Sequence, residues 1–471
     1  MKLLNSTLRE GVQHANVLFD LPEMFEVSGA LLETGNAHYI EIHSYDGDND
    51  TVKQMIDRFG KDRIITHHRS DPGDIQHRIG MGEGNTAMFL SISEAGRRSI
   101  GLSYDDTRRK IKSDITRAID GGLVVAKYTL EHATSTDPEI ILELAKIARD
   151  AGTKGIGVPD TKGISEPSTY GALLEYVMSG LGSELPVFVH LHDDLNLATA
   201  NALAAYDVGK RLGGEVVLDS SVLGLGERCG EVKTEVLNVM LRVLRGEKLQ
   251  TEDLYKIGKL VSQITGFHIE STHPVLGSGA YTDRAGTHSS KIIKERERGE
   301  DSPYSSYNPA IVGRRRSFNL SAYSGVSTIK DALESYGIVD ADPEKLQQIR
   351  DAVVELAKRD RTDVGPLDFE KIAAEYLPVT VEQLVERRGT PEIATYFVFV
   401  NVDGSSRDVA REIRKRIRHA DYIAETFGVY DIIVRIPVDK HEIGNMYVDR
   451  IRSTPGVTST QTYMTSRVWK G

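Results

Sequence analysis

Two histidines one residue apart, His190 and His192, are the strongest chemical signal in this chain, which reads Val-His-Leu-His-Asp-Asp over residues 189–194. The apolar run before them predicts a β-strand. Because successive side chains of a strand point to opposite faces, the two imidazoles face the same side and can share one ion. Most such pairs are solvated or hydrogen-bonded histidines, so this pair indicates a metal site only if a third ligand joins it.

A suitable carboxylate follows the first predicted strand. Residues 5–13 read Asn-Ser-Thr-Leu-Arg-Glu-Gly-Val-Gln, which places Arg9 and Glu10 at the start of a loop. In a closed barrel the ends of the first and seventh strands converge on one rim. Two imidazoles and one carboxylate, with the other positions open to substrate, suit a catalytic divalent ion. Arg9 is open to two interpretations, a surface ion pair with Glu10 or a functional guanidinium.

Two further loops carry polar residues next to glycines. Residues 223–231 read Leu-Gly-Leu-Gly-Glu-Arg-Cys-Gly-Glu, and glycines there allow either a close approach to a ligand or an ordinary turn. Residues 158–163 read Val-Pro-Asp-Thr-Lys-Gly. Thr161 in this second loop either binds a carboxylate or caps the following helix.

The elements that position these residues alternate between short apolar runs and amphipathic helices. Eight strands in about 260 residues favour a (β/α)₈ barrel of the α/β class over an open doubly wound sheet, and barrels of this kind place their active sites at the carboxyl ends of the strands. The predicted strands span residues 2–7, 39–43, 63–67, 87–93, 124–131, 155–160, 186–192 and 216–222.

The character of the sequence changes after the barrel. From about residue 270 an irregular region, with a charged run at 291–301, leads to three predicted helices at 328–335, 343–359 and 367–374. The last 80 residues predict the order βαββαβ, which is the ferredoxin-like arrangement. The predicted domains are therefore a barrel at 1–268, a mainly helical region at 269–388 and a ferredoxin-like domain at 389–471.

Composition excludes several classes of protein. The chain has 471 residues and a formal net charge of −11, which argues against a protein that coats nucleic acid. Its one cysteine, Cys229, excludes an internal disulfide framework and a cysteine-built metal site. No apolar run is long enough to predict a membrane span, and the first residues lack the apolar region of a signal peptide, so a cytoplasmic location is expected.

Four of these segments together resemble the signatures of the metallolyase-like TIM barrels. That family includes the homocitrate, isopropylmalate and citramalate synthases, Re-type citrate synthases and hydroxymethylglutaryl-CoA lyase. The resemblance rests on residues 5–13, 159–163, 190–194 and 224–228, which occur in the family's order. Residues 285–288, 312–314 and 323–325, with Tyr304, also resemble the subdomains found in the synthases but not in the lyases.

The resemblance implies a role for each matching residue. Glu10, His190 and His192 would bind a divalent metal ion, either zinc, manganese or magnesium. Arg9 would polarise the carbonyl of a 2-oxoacid. Substrate contacts would come from Gln13 and Thr161, with Lys127 at the position where homocitrate synthases use an arginine toward the distal carboxylate. Proton transfer at the acetyl group of acetyl-CoA would fall to His288, with Tyr304 and Glu131 close by.

The last domain resembles the amino-acid-binding domain of leucine-responsive regulators, which is also fused to archaeal homocitrate synthases. This implies feedback control by an amino acid bound near Gly428 and Asp431, and a homodimer or larger assembly. The chain also departs from the family pattern at several positions, which leaves the 2-oxoacid open. These departures are Asn5, Lys127, Lys162, Asn196, Glu231 and Asp283.

The expected reaction is the condensation of acetyl-CoA with a 2-oxoacid, followed by thioester hydrolysis. 2-Oxoglutarate, which gives homocitrate, is the first choice, because the whole architecture is closest to the archaeal homocitrate synthases. Citrate, isopropylmalate and citramalate synthesis are alternatives of the same class. A carbon–carbon lyase and a non-catalytic scaffold for the amino-acid-sensing domain are less favoured.

Overall fold

The computed structural model of the chain describes residues 1–44, 49–283, 291–292, 306–388, 394–417, 420, 422–426, 428–438 and 441–465. The chain divides into two compact units, Met1–Thr265 and Gly266–Gly471. Among the described residues, no helix has both the length and the hydropathy needed to cross a membrane. The finer domain boundaries at 268 and 388 stay predictions.

The first unit is a closed barrel of eight parallel strands, in which each strand pairs with its neighbours in chain order and β8 pairs with β1. This confirms the predicted (β/α)₈ fold. The strands are β1 Lys2–Asn5, β2 Tyr39–His43, β3 Ile64–Arg69, β4 Gly84–Ser91, β5 Leu123–Glu131, β6 Ile156–Gly157, β7 Val187–Val189 and β8 Val216–Ser220.

Helices surround this barrel and bury an apolar side against it. Several begin with a side chain that accepts a hydrogen bond from the first turn, as in the capping box of Asp20 and Glu23. The helices are α1 Leu21–Glu33, α2 Asn49–Phe59, α3 Pro72–Gly80, α4 Glu94–Ser99, α5 Tyr104–Asp120, α6 Pro138–Asp150, α7 Pro167–Leu181, α8 Ala198–Leu212, α9 Thr234–Arg245 and α10 Leu254–Thr265.

Burial on both faces explains why the barrel strands are almost continuously apolar. All five residues of β8 are buried, since one face packs against helices and the other against the barrel interior. Polar residues inside such strands are therefore exceptions that need a partner. Glu41 in β2 and Asp219 in β8 are both fully or almost fully buried, with exposed fractions of 0% and 1%.

Several strands end earlier than predicted, and the end of β7 matters most for the site. β7 ends at Val189, so His190 and His192 follow the strand instead of lying within it. Leu191 pairs with Asp160 in an isolated bridge, and the backbone of His192 pairs with Glu231. These bridges replace the regular hydrogen bonds of the sheet, because the loops after neighbouring strands provide the pairing residues. Helix α8 begins only at Ala198, after Asn196, which has a left-handed backbone (φ 59°).

The second unit contains a helical core and an antiparallel sheet. The helices are α11 Val326–Ser335, α12 Pro343–Asp360, α13 Pro366–Tyr376 and α14 Val381–Arg388, and a short parallel pair is formed by β9 Thr282–Asp283 and β10 Ser317–Phe318. The three helices predicted for this region are present. Most of the charged run at 291–301 lies outside the described residues.

The end of the chain has the predicted order βαββαβ. Its elements are β11 Ala394–Val402, α15 Ser406–Arg416, β12 Tyr422–Glu425, β13 Ile432–Val438, α16 His441–Arg452 and β14 Val457–Thr465. The four antiparallel strands lie in the order β12-β13-β11-β14. Alternate residues of β11, including Val398 and Val400, are buried in one core with Ile413 and Ile451 of the two helices.

The hydroxyl of Tyr170 holds the base of a site loop. Tyr170 on α7 is fully buried, and its hydroxyl donates to the carbonyl of Val158 at 2.6 Å, just before the loop that carries Thr161. We expect Tyr170→Phe to lower the free energy of unfolding by roughly 1–3 kcal/mol, because a buried hydrogen bond is lost. Denaturant unfolding measures this. Tyr176→Phe on the exposed side of the same helix is the control, and an equal loss in both variants would contradict the assignment.

Candidate active site

One cavity of about 310 Å³ lies at the carboxyl ends of the barrel strands. All the site residues that the sequence predicted within the barrel line it, although they come from four different strands or the loops that follow them. They are Arg9, Glu10, Gln13, Lys127, Glu131, Thr161, His190 and His192. His288 and Tyr304 lie outside the described residues. Gly428 and Asp431 belong to the second unit.

Glu10, His190 and His192 have the geometry of a metal site. Each offers one ligand atom, and these atoms all lie within 4.8 Å of one another. The two imidazole rings are 4.9 Å apart and perpendicular, and His190 Nε2 lies 3.9 Å from Glu10 Oε2. His192 Nδ1 is buried and has no hydrogen-bond partner among the described residues. A carboxylate oxygen with two imidazole nitrogens is a donor set that divalent ions take in proteins.

Two carboxylates fix the orientation of His190 by contacting Nδ1, the ring nitrogen farther from Glu10. Its Nδ1 lies 2.9 Å from Asp219 Oδ2 and 3.1 Å from Glu231 Oε2. A proton held on Nδ1 by these oxygens leaves Nε2 free to face Glu10 and His192. Hydrogen bonds from the second ring nitrogen to a carboxylate are the usual support of a metal-binding histidine.

Charges decide the protonation of these groups. Burial favours a neutral Glu10, but the positive charges of Arg9 and His190 outweigh it and lower the pKa of the Glu10 carboxyl to about 2. Burial and the neighbouring charge of His190 lower the pKa of His192 to about 4. Burial opposes the charged form of His190, yet the adjacent carboxylates of Asp219 and Glu231 raise its pKa to about 10. Near neutral pH, Glu10 is therefore an anion and His192 a neutral imidazole, which are the forms that bind metals.

A second cluster of charges lies beside this triad. Glu41 accepts a hydrogen bond from Arg9 Nε at 2.7 Å and lies 2.5 Å from Lys127 Nζ, so one carboxylate balances two cations. Arg9 also donates to Glu10. All three members of the cluster are buried, with exposed fractions of 6% for Arg9, 0% for Glu41 and 3% for Lys127. The interpretation of Arg9 as a surface ion pair is therefore wrong.

Thr161 and the loop around it are held by contacts between loops. Its hydroxyl oxygen accepts a hydrogen bond from the backbone N–H of His132 at 3.0 Å. The N-cap position of the following helix α7 is Glu166, whose side chain makes no capping hydrogen bond. The carbonyl of Thr161 accepts from Arg228, whose guanidinium also pairs with both oxygens of Asp194. Arg228 thus connects the loops that follow β6, β7 and β8.

Two buried acids, Glu41 and Asp219, were not identified from the sequence. Both were detectable as an acidic residue inside an otherwise apolar strand, in Tyr-Ile-Glu-Ile-His and Val-Val-Leu-Asp-Ser. A buried acid in such a strand needs a cation or a hydrogen-bond donor close by. That requirement would have marked both residues as parts of a buried polar site.

Comparison with known proteins gives the family. The profile of the HMGL-like family matches residues 1–261. The chain belongs to the HMGL-like family. The resemblance deduced from the motifs is thereby confirmed.

Curated relatives of this HMGL-like chain extend the similarity over its whole length. A homocitrate synthase of Saccharolobus islandicus is 29% identical over 98% of this chain and 97% of its own length. A homocitrate synthase of Sulfolobus acidocaldarius is 27% identical over 98% of this chain and 96% of its own length. Among solved structures, the HMG-CoA lyase of Brucella melitensis is similar, with 19% identity, a TM-score of 0.48, and coverage of 56% of this chain and 99% of that one.

Neutralising Glu41 should destabilise the folded chain. In Glu41→Gln the cations of Arg9 and Lys127 lose the anion between them while staying buried, so we expect the free energy of unfolding to fall by roughly 3–5 kcal/mol. Urea unfolding followed by circular dichroism measures this loss. The control is Glu83→Gln, which breaks an exposed pair with Lys61 of similar length, 2.9 Å, and should leave stability unchanged. Equal stability of Glu41→Gln and the parent would show that the buried cluster is not held by charge.

Proposed function

We propose that this chain condenses acetyl-CoA with 2-oxoglutarate and hydrolyses the thioester to give homocitrate. The single observation that carries the proposal is the cavity in which the triad of Glu10, His190 and His192 lies beside two buried cations, Arg9 and Lys127. Citrate synthesis from oxaloacetate is the runner-up, because it also uses a 2-oxoacid with a second carboxylate. Isopropylmalate and citramalate synthesis follow, since their oxoacids have none.

The comparisons with known proteins establish the enzyme class but not the substrate. The predicted class, an acetyl-CoA-dependent condensing synthase, is confirmed by similarity to homocitrate synthases over almost the full length of both chains. The identity of 27–29% leaves the oxoacid itself as a proposal. The choice of 2-oxoglutarate is supported by those relatives and by the buried ammonium of Lys127.

Glu10, His190 and His192 would hold a divalent ion, either zinc, manganese or magnesium. When bound, such an ion supplies Lewis-acid polarisation of the oxoacid carbonyl. Arg9 supports the same step, because its guanidinium is always charged and is oriented by Glu41 and Glu10. The charge that develops on the carbonyl oxygen would therefore form next to a fixed positive charge, which stabilises the transition state.

The remaining steps transfer protons and release CoA. A base takes a proton from the acetyl methyl group, the methyl carbon bonds to C2 of the oxoacid, and the resulting alkoxide takes up a proton. Water then cleaves the thioester, so CoA leaves as a thiol. By the family resemblance, the base or proton relay would be His288, and Tyr304 and Glu131 would take part in the same chemistry. Gln13 and Thr161 would contact the oxoacid.

Lys127 would select the oxoacid. Its ammonium lies at the cavity wall, beside the ring of Phe188 and in contact with Glu41. An ammonium has three donor hydrogens, so it can keep its contact with Glu41 and still donate to the distal carboxylate of a substrate. An apolar oxoacid would leave those donors buried without an acceptor.

The last domain would regulate this activity. An amino-acid effector near Gly428 and Asp431, and a homodimer or larger assembly, stay proposals drawn from the resemblance. Asp431 has a structural contact of its own, because its carboxylate accepts a hydrogen bond from the backbone of Val402 at 2.8 Å. The side chain of Asp431 therefore stabilises the end of β11 as well as lying next to the proposed effector site.

CoA release identifies the substrate. We expect purified, metal-loaded protein to release CoA from acetyl-CoA with 2-oxoglutarate, and much less with oxaloacetate, 2-oxoisovalerate or pyruvate. Arg9→Ala should lower kcat by at least about 10²–10³-fold, because a fixed donor to the developing alkoxide is lost. Arg98→Ala, at a side chain that is 73% exposed, is the control and should keep full activity. CoA release with another oxoacid would identify that oxoacid as the substrate. No CoA release with any of the four oxoacids would refute the proposal.

Lys127 variants separate substrate selection from chemistry. We expect Lys127→Met to raise KM for 2-oxoglutarate about 10–100-fold, since a charge-assisted hydrogen bond contributes roughly 1.5–3 kcal/mol. Lys127→Arg keeps the charge and should retain most of the affinity. Steady-state kinetics with 2-oxoglutarate and 2-oxoisovalerate measure the KM of each variant for both oxoacids. If both substrates lost affinity equally, Lys127 would not bind the distal carboxylate.

A further inference from the structure

Glu231 takes part in no step of the proposed reaction, yet it is completely buried directly behind the histidine pair. Its backbone bridges to His192, and its N–H donates to the carbonyl of Gly224 at 3.2 Å. The preceding residue must be glycine, because Gly230 has φ 83° and a Cβ there would come within 1.9 Å of the Gly224 oxygen. The loop after β8 thus fixes the position of this carboxylate.

Glu231 and Asp219 contact the same two donors. Glu231 lies 2.5 Å from Ser6 Oγ and 3.1 Å from His190 Nδ1. Asp219 lies 2.6 Å from the same hydroxyl and 2.9 Å from the same ring nitrogen. One hydroxyl proton and one ring proton therefore serve four carboxylate oxygens. His190 donates to Asp219, and Glu231 Oε2 is left without a hydrogen-bond partner among the described residues.

We infer that Glu231 is a positioning residue whose negative charge, together with that of Asp219, strengthens the binding of a cation at His190 Nε2. The two carboxylates keep the ring proton on Nδ1 and raise the electron density of the imidazole, so that Nε2 becomes a stronger ligand. A divalent cation held by Glu10, His190 and His192 would also offset the charge that the protein donors leave unbalanced.

The test is the affinity for Zn²⁺ of the full chain and of Glu231→Gln, measured by competition with a chromophoric chelator. Gln keeps the shape of the side chain and removes the charge. We expect the variant to bind Zn²⁺ about 10–100-fold more weakly, the range typical of lost partners of metal-binding histidines. Unchanged Zn²⁺ affinity would overturn the inference.

Glu235→Gln is the matched control. Glu235 is equally buried on α9, and it accepts from the backbone of Leu223 instead of contacting His190. Its neutralisation should leave Zn²⁺ affinity unchanged, and an equal loss in both variants would also overturn the inference, because any buried charge would then suffice.

A measurement on the parent protein does not depend on the variants folding. In the Zn²⁺-loaded chain labelled with ¹⁵N-histidine, His190 should carry its proton on Nδ1, and a proton on Nε2 would refute the assignment. The inference rests on the metal site of the proposed function, but different results would contradict the inference and the metal site. A parent that binds no Zn²⁺ removes the metal site itself, whereas a parent that binds it as tightly as Glu231→Gln removes only the role of Glu231.

Discussion

The structure of the site depends on keeping several charges buried in the wall of the barrel. Arg9, Glu41 and Lys127 are almost completely removed from water, as are Glu10, Asp219 and Glu231. Each isolated ion would lose several kcal/mol of solvation, so the arrangement is stable only while opposite charges stay in contact. The need to keep these opposite charges in contact also fixes the register of the strands. A shift of β2 by one residue would turn Glu41 away from Arg9 and Lys127 toward the helices.

The charge network exists only in the closed barrel. Ser6, at the end of β1, bonds to Asp219 and Glu231, which are 213 and 225 residues away in the sequence. Only the pairing of β1 with β8 brings these segments together. His190 then receives its orienting partner from β8 and its neighbour Glu10 from the loop after β1. The cluster of Glu10, His190 and His192 is therefore a property of the closed barrel and of no shorter segment.

Local patterns predicted the fold well because buried parallel strands are short apolar runs separated by helices. β2 has its predicted bounds, whereas β6 and β7 are shorter than predicted, because loop bridges involving Asp160 and His192 replace the regular ladder. Glu10, His190 and His192 could be named as a candidate set because each lies in a short local motif, and their ligand atoms do lie together. Glu41 and Asp219 were missed, since their importance depends on which residues face each other across neighbouring strands. Register sets those contacts, and no short motif records it.

The pairing of Lys127 with Glu41 explains how one cavity could bind a dicarboxylate without a free cation waiting in it. A buried, unpaired ammonium would lose its proton or destabilise the fold. Glu41 removes that difficulty, because its carboxylate contacts both cations, and Glu10 adds a second anion beside Arg9. An arginine at position 127 would present a rigid planar fork, whereas the ammonium on its flexible stem can rotate toward a second carboxylate. Selection of the oxoacid would then come from the donors that an apolar substrate leaves unsatisfied, which is a stronger form of discrimination than the fit of an apolar pocket.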